Sequence, residues 1–518
     1  MKGALLVAGT HSDAGKSVVT AGICRWLHRQ GVRVAPFKAQ NMALNSVVTA
    51  GGAEVGRAQA MQAAAAGAEL EAAMNPILIK PSGERHSQVI VMGEPYTDAD
   101  ARSYRTLKDE LRPIVASALA DLRSRYDVVV CEGAGSPAEI NLRASDLTNM
   151  WLAREAQLPT LIVADIDRGG VFASLFGTLA LLEPDDQAHV AGFVINKFRG
   201  DQRILAPGLD QLQQLSGRPT LGVLPFVQDL WLDVEDSLAL DAGGAAPESA
   251  PQPGGDTLDV AVVRLRHISN FTDADALRGE PGVRVRFTRS AADIERADLV
   301  ILPGTKATVE DLELLRNAGL DTALVARAAL GKPILGICGG YQILGEHIHD
   351  EVESRRGSVP GLGLLPVTTN FAAQKLRRLR SGSSPWLNCT AGGYEIRHGQ
   401  PRLNGGTNLP ALLIADDGEP DGAVSDAVLG TSWHGVLEHD AFRRALLAWV
   451  AARSGRRFIP GTQPFADVRA KRLDVLGELI EQHLDTAALS RLIDQGLGTQ
   501  LPTITTEKRQ LAALPDHG

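Results

Sequence analysis

Gly3 to Thr20 constrains this chain more than any other stretch. Leu5, Leu6, Val7 and Ala8 form a short apolar run of the kind that makes a buried strand. Gly9 to Gly15 follows as a turn of small and polar residues, and Val18, Val19, Ala21, Ile23 and Leu27 then recur at helical spacing. Strand, glycine loop, Lys-Ser and helix, in that order, is the setting of a phosphate-binding loop. Glycines let the backbone wrap an anion, so that N–H groups and the helix N-terminus face phosphate oxygens. Thr10, Asp13, Gly15, Lys16 and Ser17 are the expected ATP contacts. Lys16 is placed to reach the outer phosphates, and the Ser17 hydroxyl to ligate Mg²⁺. The common pattern leaves four residues between its glycines. Gly9 and Gly15 enclose five, with Thr10 where the first glycine would stand.

At 518 residues the chain has room for two or three domains, each with a full core. A net charge of -9 argues against a general nucleic-acid binder. The cysteines Cys24, Cys131, Cys338 and Cys389 are scattered without metal-like spacing, which suggests a reducing compartment. Neither a signal-peptide pattern nor an apolar run of membrane-spanning length is present, so the expected location is the cytoplasm, with no membrane partner.

After the first helix, Val32 to Lys38 reads as a second strand, with Lys38 at its C-terminal end, where open parallel sheets bind ligands. Glu54 to Ala73 is Ala-rich and reads as a helix carrying Arg57, Gln59 and Gln62. Tyr126 to Cys131 is an apolar strand ending at Glu132, an acid placed to face a metal beside the phosphate loop. Pro159 to Asp165 is another strand and leads into Asp165, Asp167 and Arg168, a ligand-type loop. Val190 to Arg199 carries Asn196 at its end, positioned to read an adenine edge. Strands alternating with helices predict a parallel sheet covered on both faces.

The long phosphate loop resembles that of dethiobiotin synthetase. The stretches GTHSDAGKS, FKAQNMALNS, EVGRAQAMQA, NPILIKP, EGAGSPAEINL, ADIDRGGVFA, INKFRGD and WLDVEDSL, in that order, resemble the cobyric acid synthase family. FKAQNMALNS, EGAGSPAEINL and DIDRGGVFA set that family apart from relatives such as cobyrinic acid a,c-diamide synthase. The resemblance implies ATP and Mg²⁺, glutamine as nitrogen donor, and a corrinoid substrate, adenosylcobyrinic acid a,c-diamide. Carboxylates b, d, e and g would be amidated to give adenosylcobyric acid. It also implies that Lys38, Asn41, Asp165, Asp167 and Arg168 serve the substrate, Asn196 the nucleotide, and Ser17 and Glu132 the metal.

Residues 241–257 are rich in Gly, Pro, Ala and Ser and read as a linker between a first domain, 1–240, and a second, 258–452. In the second, Ile334, Leu335 and Ile337 form a strand, Cys338 ends it, and Gly339 and Gly340 open a helix. This is a nucleophile elbow with cysteine in place of serine. The helix N-terminus favours the reactive thiolate. His434, after a late apolar run, is the best-placed base. The pair resembles class I glutamine amidotransferases, which release ammonia from glutamine, with Gly304 and Gly339 as expected oxyanion donors. That class has a Glu two residues after its His. Val436 stands there, and Glu438 lies four residues on, so a Cys–His dyad is the working reading. Cobyric acid synthases place His directly after the Ile of this chain's Gly393–Gly399 stretch. Here Arg397 takes that place and His398 follows, which is expected to alter a domain contact more than the chemistry. Residues 372–384, with Lys375, Arg377, Arg378 and Arg380, read as a basic, solvated loop. Residues 453–518 read as a helical appendage that frays beyond Thr499.

The expected fold is therefore α/β, two doubly wound parallel-sheet domains with C-terminal helices. The residues alone point to an ATP- and glutamine-dependent amidoligase acting on a carboxylate. The competing acid would be that of a cobyrinic acid a,c-diamide synthase or a peptidoglycan amidase. A partitioning or switch ATPase would leave the cysteine elbow unexplained.

Overall fold

The structure, a computed structural model, describes residues 1–81, 86–227, 250–498 and 501–504. WLDVEDSL, the 240/241 boundary and most of the linker lie outside the described residues. The first sheet has six parallel strands in the order Thr220–Pro225, Val190–Phe198, Thr160–Asp165, Gly3–Gly9, Val128–Glu132, Val34–Phe37. Its central strand is the one that feeds the phosphate loop. Alternate residues serve opposite faces: Ala4 and Leu6 join one core, Leu5 and Val7 the other. In-register pairing brings Gly9, Glu132, Asp165 and Asn196 to one edge, the carboxyl edge where such sheets bind ligands.

The second sheet is likewise built on parallel strands, ordered Val283–Thr288, Leu258–Val263, Leu299–Leu302, Ile334–Ile337, Val428–Thr431, with Ala423–Ser425 antiparallel at the edge. Ile337 pairs with Thr431, so Cys338 and His434 leave adjacent strand ends.

Three sequence readings are corrected. Residues 372–384 are not a solvated loop. They belong to Val367–Ser384, which pairs with Cys389–Leu403 in a long hairpin. A register break between Phe371 and Leu376 turns Lys375 into the interior. Helix Arg57–Ala66 is shorter than Glu54–Ala73, because Glu54–Gly56 pairs as a strand with Ser46–Val48, and Gly67 at φ 62° ends the helix.

The C-terminal reading is the third. Phe465–His483 and Thr486–Gln495 are helices, as expected, and they cover the Leu5/Val7 face of the first sheet. A Cβ at Gly22 would lie 2.9 Å from Leu476 O, an approach only glycine permits on helix Lys16–Arg29. Of the stretch read as frayed, 499–500 and 505–518 lie outside the described residues, and 501–504 are held: Ile504 N donates to Gln187 Oε1 (2.8 Å), and Pro502 O accepts from the buried Arg218. The chain thus returns from the second sheet to complete the core of the first.

Candidate functional site

Two centres stand at the carboxyl edges of the two sheets. In the first, Gly15 at φ 102° caps helix Lys16–Arg29, a conformation that favours glycine. A Cβ there would come within 1.9 Å of Asn196 Nδ2, which donates to Ala14 O (3.1 Å). Asn196 therefore braces the loop from below and commits that N–H to backbone. Lys16 Nζ curls over the loop, donating to His11 O (3.0 Å) and Gly135 O (3.1 Å).

Glu132 is buried behind this loop. Its Oε1 accepts from Ser17 Oγ (2.8 Å) and Lys38 Nζ (3.0 Å), its Oε2 from Gln62 Nε2. Burial pushes its carboxyl upward, but the Lys38 ammonium and the donated hydrogen bonds outweigh this and hold it below the ordinary value. Lys38, expected at the substrate, here pairs with this acid. Asn41 is likewise held by a protein group. It is buried, with Nδ2 given to Gln59 Oε1 (2.9 Å), so it braces the chain after the second strand. Asp165 is buried and accepts from Lys197 Nζ (2.7 Å) and Asp167 N (2.8 Å). Arg168 lies at the surface, 3.5 Å from Asp13 and 3.7 Å from Asp165. Asp13, Asp165, Asp167 and Arg168 are thus brought to one rim.

These residues fit a nucleotide with Mg²⁺. Thr10 Oγ1 is buried with no partner among the described residues, and the loop's backbone is held open by Gly15. Ser17 and Glu132 offer two hard oxygen donors. That suits Mg²⁺, which takes one or two protein ligands and leaves the rest to phosphates and water. Among the described residues no group of three or more His, Cys, Asp or Glu side chains could hold a metal.

In the second centre Cys338 sits at φ 50°, ψ −107°, a strained turn between strand Ile334–Ile337 and helix Gly339–Leu344. Its N–H is anchored to Thr431 O (2.8 Å). His434 is buried and lines the same cavity as Cys338, whose sulfur donates to Ile396 O (3.9 Å). The orienting residue is Asp273: Oδ2 lies 2.7 Å from His434 Nδ1, and Oδ1 accepts from Gly435 N (2.7 Å). Burial works against the imidazolium, but the Asp273 carboxylate and the Cys338 sulfur raise His434 to about 10. The Tyr394 ring stacks on the imidazole, centroids 5.6 Å apart. Gly304 packs on His434, where a Cβ would lie 2.6 Å from Cε1, and Gly339 opens the helix beside the thiol.

Asp273 was missed in the sequence because 161 residues separate it from His434 and no spacing marks it. Glu438 does not face the histidine. It pairs with Arg57 of the first domain and with Arg469 (2.9 Å) of the C-terminal helix. Arg397 and His398 both wall the Cys338 cavity.

Fold and sites together define a nucleotide-binding domain joined to a glutamine amidotransferase domain. Residues 5–239 match the CobQ/CobB/MinD/ParA nucleotide binding domain, and residues 259–442 the CobB/CobQ-like glutamine amidotransferase domain. The chain is 59% identical to the cobyric acid synthase of Frankia casuarinae, over 97% of this chain and 99% of that one. It is 57% identical to that of Streptomyces avermitilis, with the same coverage, and 55% to that of Rhodococcus jostii, over 98% of each. The chain belongs to the cobyric acid synthase family.

Proposed function

We propose that this chain amidates carboxylates b, d, e and g of adenosylcobyrinic acid a,c-diamide, using ATP in the first domain and glutamine in the second. The observation that carries the reading is Asp273 bonded to His434 in the cavity that Cys338 lines, all in one domain, while a phosphate loop stands in the other.

At the second centre the Cys338 sulfur attacks the glutamine amide carbon. The N–H groups of Gly304 and Gly339 hold the oxyanion. His434 gives its proton to the departing nitrogen, which leaves as ammonia, and Asp273 holds the ring in the tautomer this requires. His434 then takes a proton from water as it cleaves the thioester to glutamate.

At the first centre Thr10, Asp13, Gly15 and Lys16 cradle the ATP phosphates, and Asn196 buttresses their loop. When bound, Mg²⁺ neutralises phosphate charge; Ser17 and Glu132 would hold it. Asp165, Asp167 and Arg168 position the acid at the rim. A substrate carboxylate oxygen attacks the γ-phosphorus, ADP leaves, and an acyl phosphate remains. Ammonia then attacks the acyl carbon and releases phosphate, leaving a primary amide and a proton.

The test is Cys338→Ala. Glutamine-dependent amidation should fall by several orders of magnitude, since alanine offers no nucleophile. Ammonium chloride should still support amidation, read as four added amides by mass spectrometry. Retained glutamine use would remove the thiol from the reaction. Loss of ammonia use by a folded variant would remove the division of labour.

A further inference from the structure

The cavity on which Cys338 and His434 open is walled by both domains. Lys306, Glu353, Lys375 and Arg397 come from the second, and Lys80 comes from strand Ile77–Pro81 of the first. Most of these charges are balanced nearby. Lys306 pairs with Glu353, and Arg397 with Glu395 (2.5 Å). Glu54 is different. Fully buried, it accepts from Lys80 Nζ (2.8 Å), Lys375 Nζ (2.6 Å) and Ser46 Oγ (2.8 Å). The remaining contacts of the two lysines, Lys80 to Ser46 Oγ (2.9 Å) and Lys375 to Gln88 Oε1 (3.4 Å), are neutral.

Among the described residues, then, two buried ammonium groups share one carboxylate. With both lysines protonated, one positive charge is in excess on a wall of the cavity that holds the nucleophile. An uncompensated buried charge is costly, and the ordinary remedy is a counter-ion. Burial lowers Lys375 to about 7, so the group is close to losing its proton near neutral pH, and an anion bound at this wall would keep it charged. The ligand of this cavity brings that anion with it: the α-carboxylate of glutamine lies four bonds from the amide carbon that the thiol attacks. Glu54 and Lys80 are contributed by the first domain, and Lys375 by the hairpin that reaches into it.

Resting on the reading of Cys338 as the glutamine-attacking thiol, we propose that Lys80 and Lys375, bridged by Glu54 across the domain boundary, form the α-carboxylate subsite for glutamine. The glutamine pocket is therefore complete only where the two domains meet, and hydrolysis is confined to the joined enzyme.

The test compares glutamine with 4-aminobutanamide, its analogue without the α-carboxylate, on the full chain. The wild type should prefer glutamine in kcat/KM. In Lys80→Met the KM for glutamine should rise about 10- to 100-fold, the worth of a charge-assisted hydrogen bond. The value of kcat should change little, and 4-aminobutanamide should be turned over as before, so that the preference collapses. Lys375→Gln, a separate lysine on the other domain, repeats the measurement should Lys80→Met not fold. Ammonia-dependent amidation in each preparation normalises for folded enzyme. Equal losses for glutamine and its analogue would mean a structural role and overturn the proposal. So would an unchanged glutamine KM with a raised KM for the acid substrate, which would give the surplus charge to that acid. Failure of the reading beneath it is separate: Cys338→Ala would then still hydrolyse glutamine.

Discussion

Around Glu132 the charged groups are occupied by other protein groups, whereas beside Cys338 the imidazole is already oriented. Lys16 rests on two carbonyls, and Ser17, Lys38 and Gln62 all converge on one carboxylate. Under the proposed function, Lys16 and Ser17 must exchange partners to meet phosphates and a metal. Asp273 and His434 need no such exchange: the imidazole is already oriented in the cavity that Cys338 lines. The first centre is held in waiting by internal pairing, and the second is preorganised. The difference follows from what each must bind. A polyanion with its cation replaces existing ion pairs, while a small amide enters beside a nucleophile made ready.

Three substitutions break or sharpen this contrast, beginning with the largest effect. Lys16→Ala should abolish amidation with glutamine and with ammonia alike, a loss of about three orders of magnitude, because phosphoryl transfer precedes either nitrogen source. Side-by-side rates with the two nitrogen donors check it. Residual full activity would mean the first centre is not where ATP is used.

Asp273→Asn should leave ammonia use intact and cut glutamine hydrolysis about 10²- to 10³-fold. The sign of its pH effect follows from His434. With Asp273 present, the imidazolium persists up to about pH 10 and keeps a proton to give. Without the carboxylate, His434 falls toward its ordinary value, and less imidazolium faces the sulfur at neutral pH. Alkylation of Cys338 by iodoacetamide at pH 7 should slow. An unchanged alkylation rate would contradict this arrangement.

The smallest of the three is Glu132→Gln, where the rate should fall about 10²-fold while nucleotide affinity changes far less, since the carboxylate acts where charge develops. Mg²⁺ titrations of the rate against equilibrium nucleotide binding separate the two effects. A variant with wild-type Mg²⁺ dependence would leave Glu132 as a partner of Lys38 alone.

Between the two centres the contact surface is itself informative. Arg57 and Gln62 lie on one helix, Gln62 on Glu132 and Arg57 on Glu438 just beyond His434. Val47 and Val48 of the first domain pack with Tyr394 and Ile396 of the second. Neither contact could be read ahead, because each joins segments hundreds of residues apart, and helix periodicity reports only that a face is buried. The basic stretch at 372–384 shows the same limit. Four cations in the six residues 375–380 suggest solvent, and only the partner strand and Glu54, 321 residues from Lys375, make an interior position tolerable.

What the sequence by itself determined is local. The phosphate loop and the cysteine elbow each need a strand, small residues and a helix in immediate succession, so their chemistry is written in contiguous residues. The parallel sheets follow from the same alternation. Tertiary structure alone decided who partners whom: Asp273 with His434, Lys38 with Glu132, Lys375 with Glu54, and the C-terminal helices with the first sheet. Backbone geometry acts over a few residues and leaves a pattern. Charge pairing and burial act through space, and the spacing of residues along the chain does not record them.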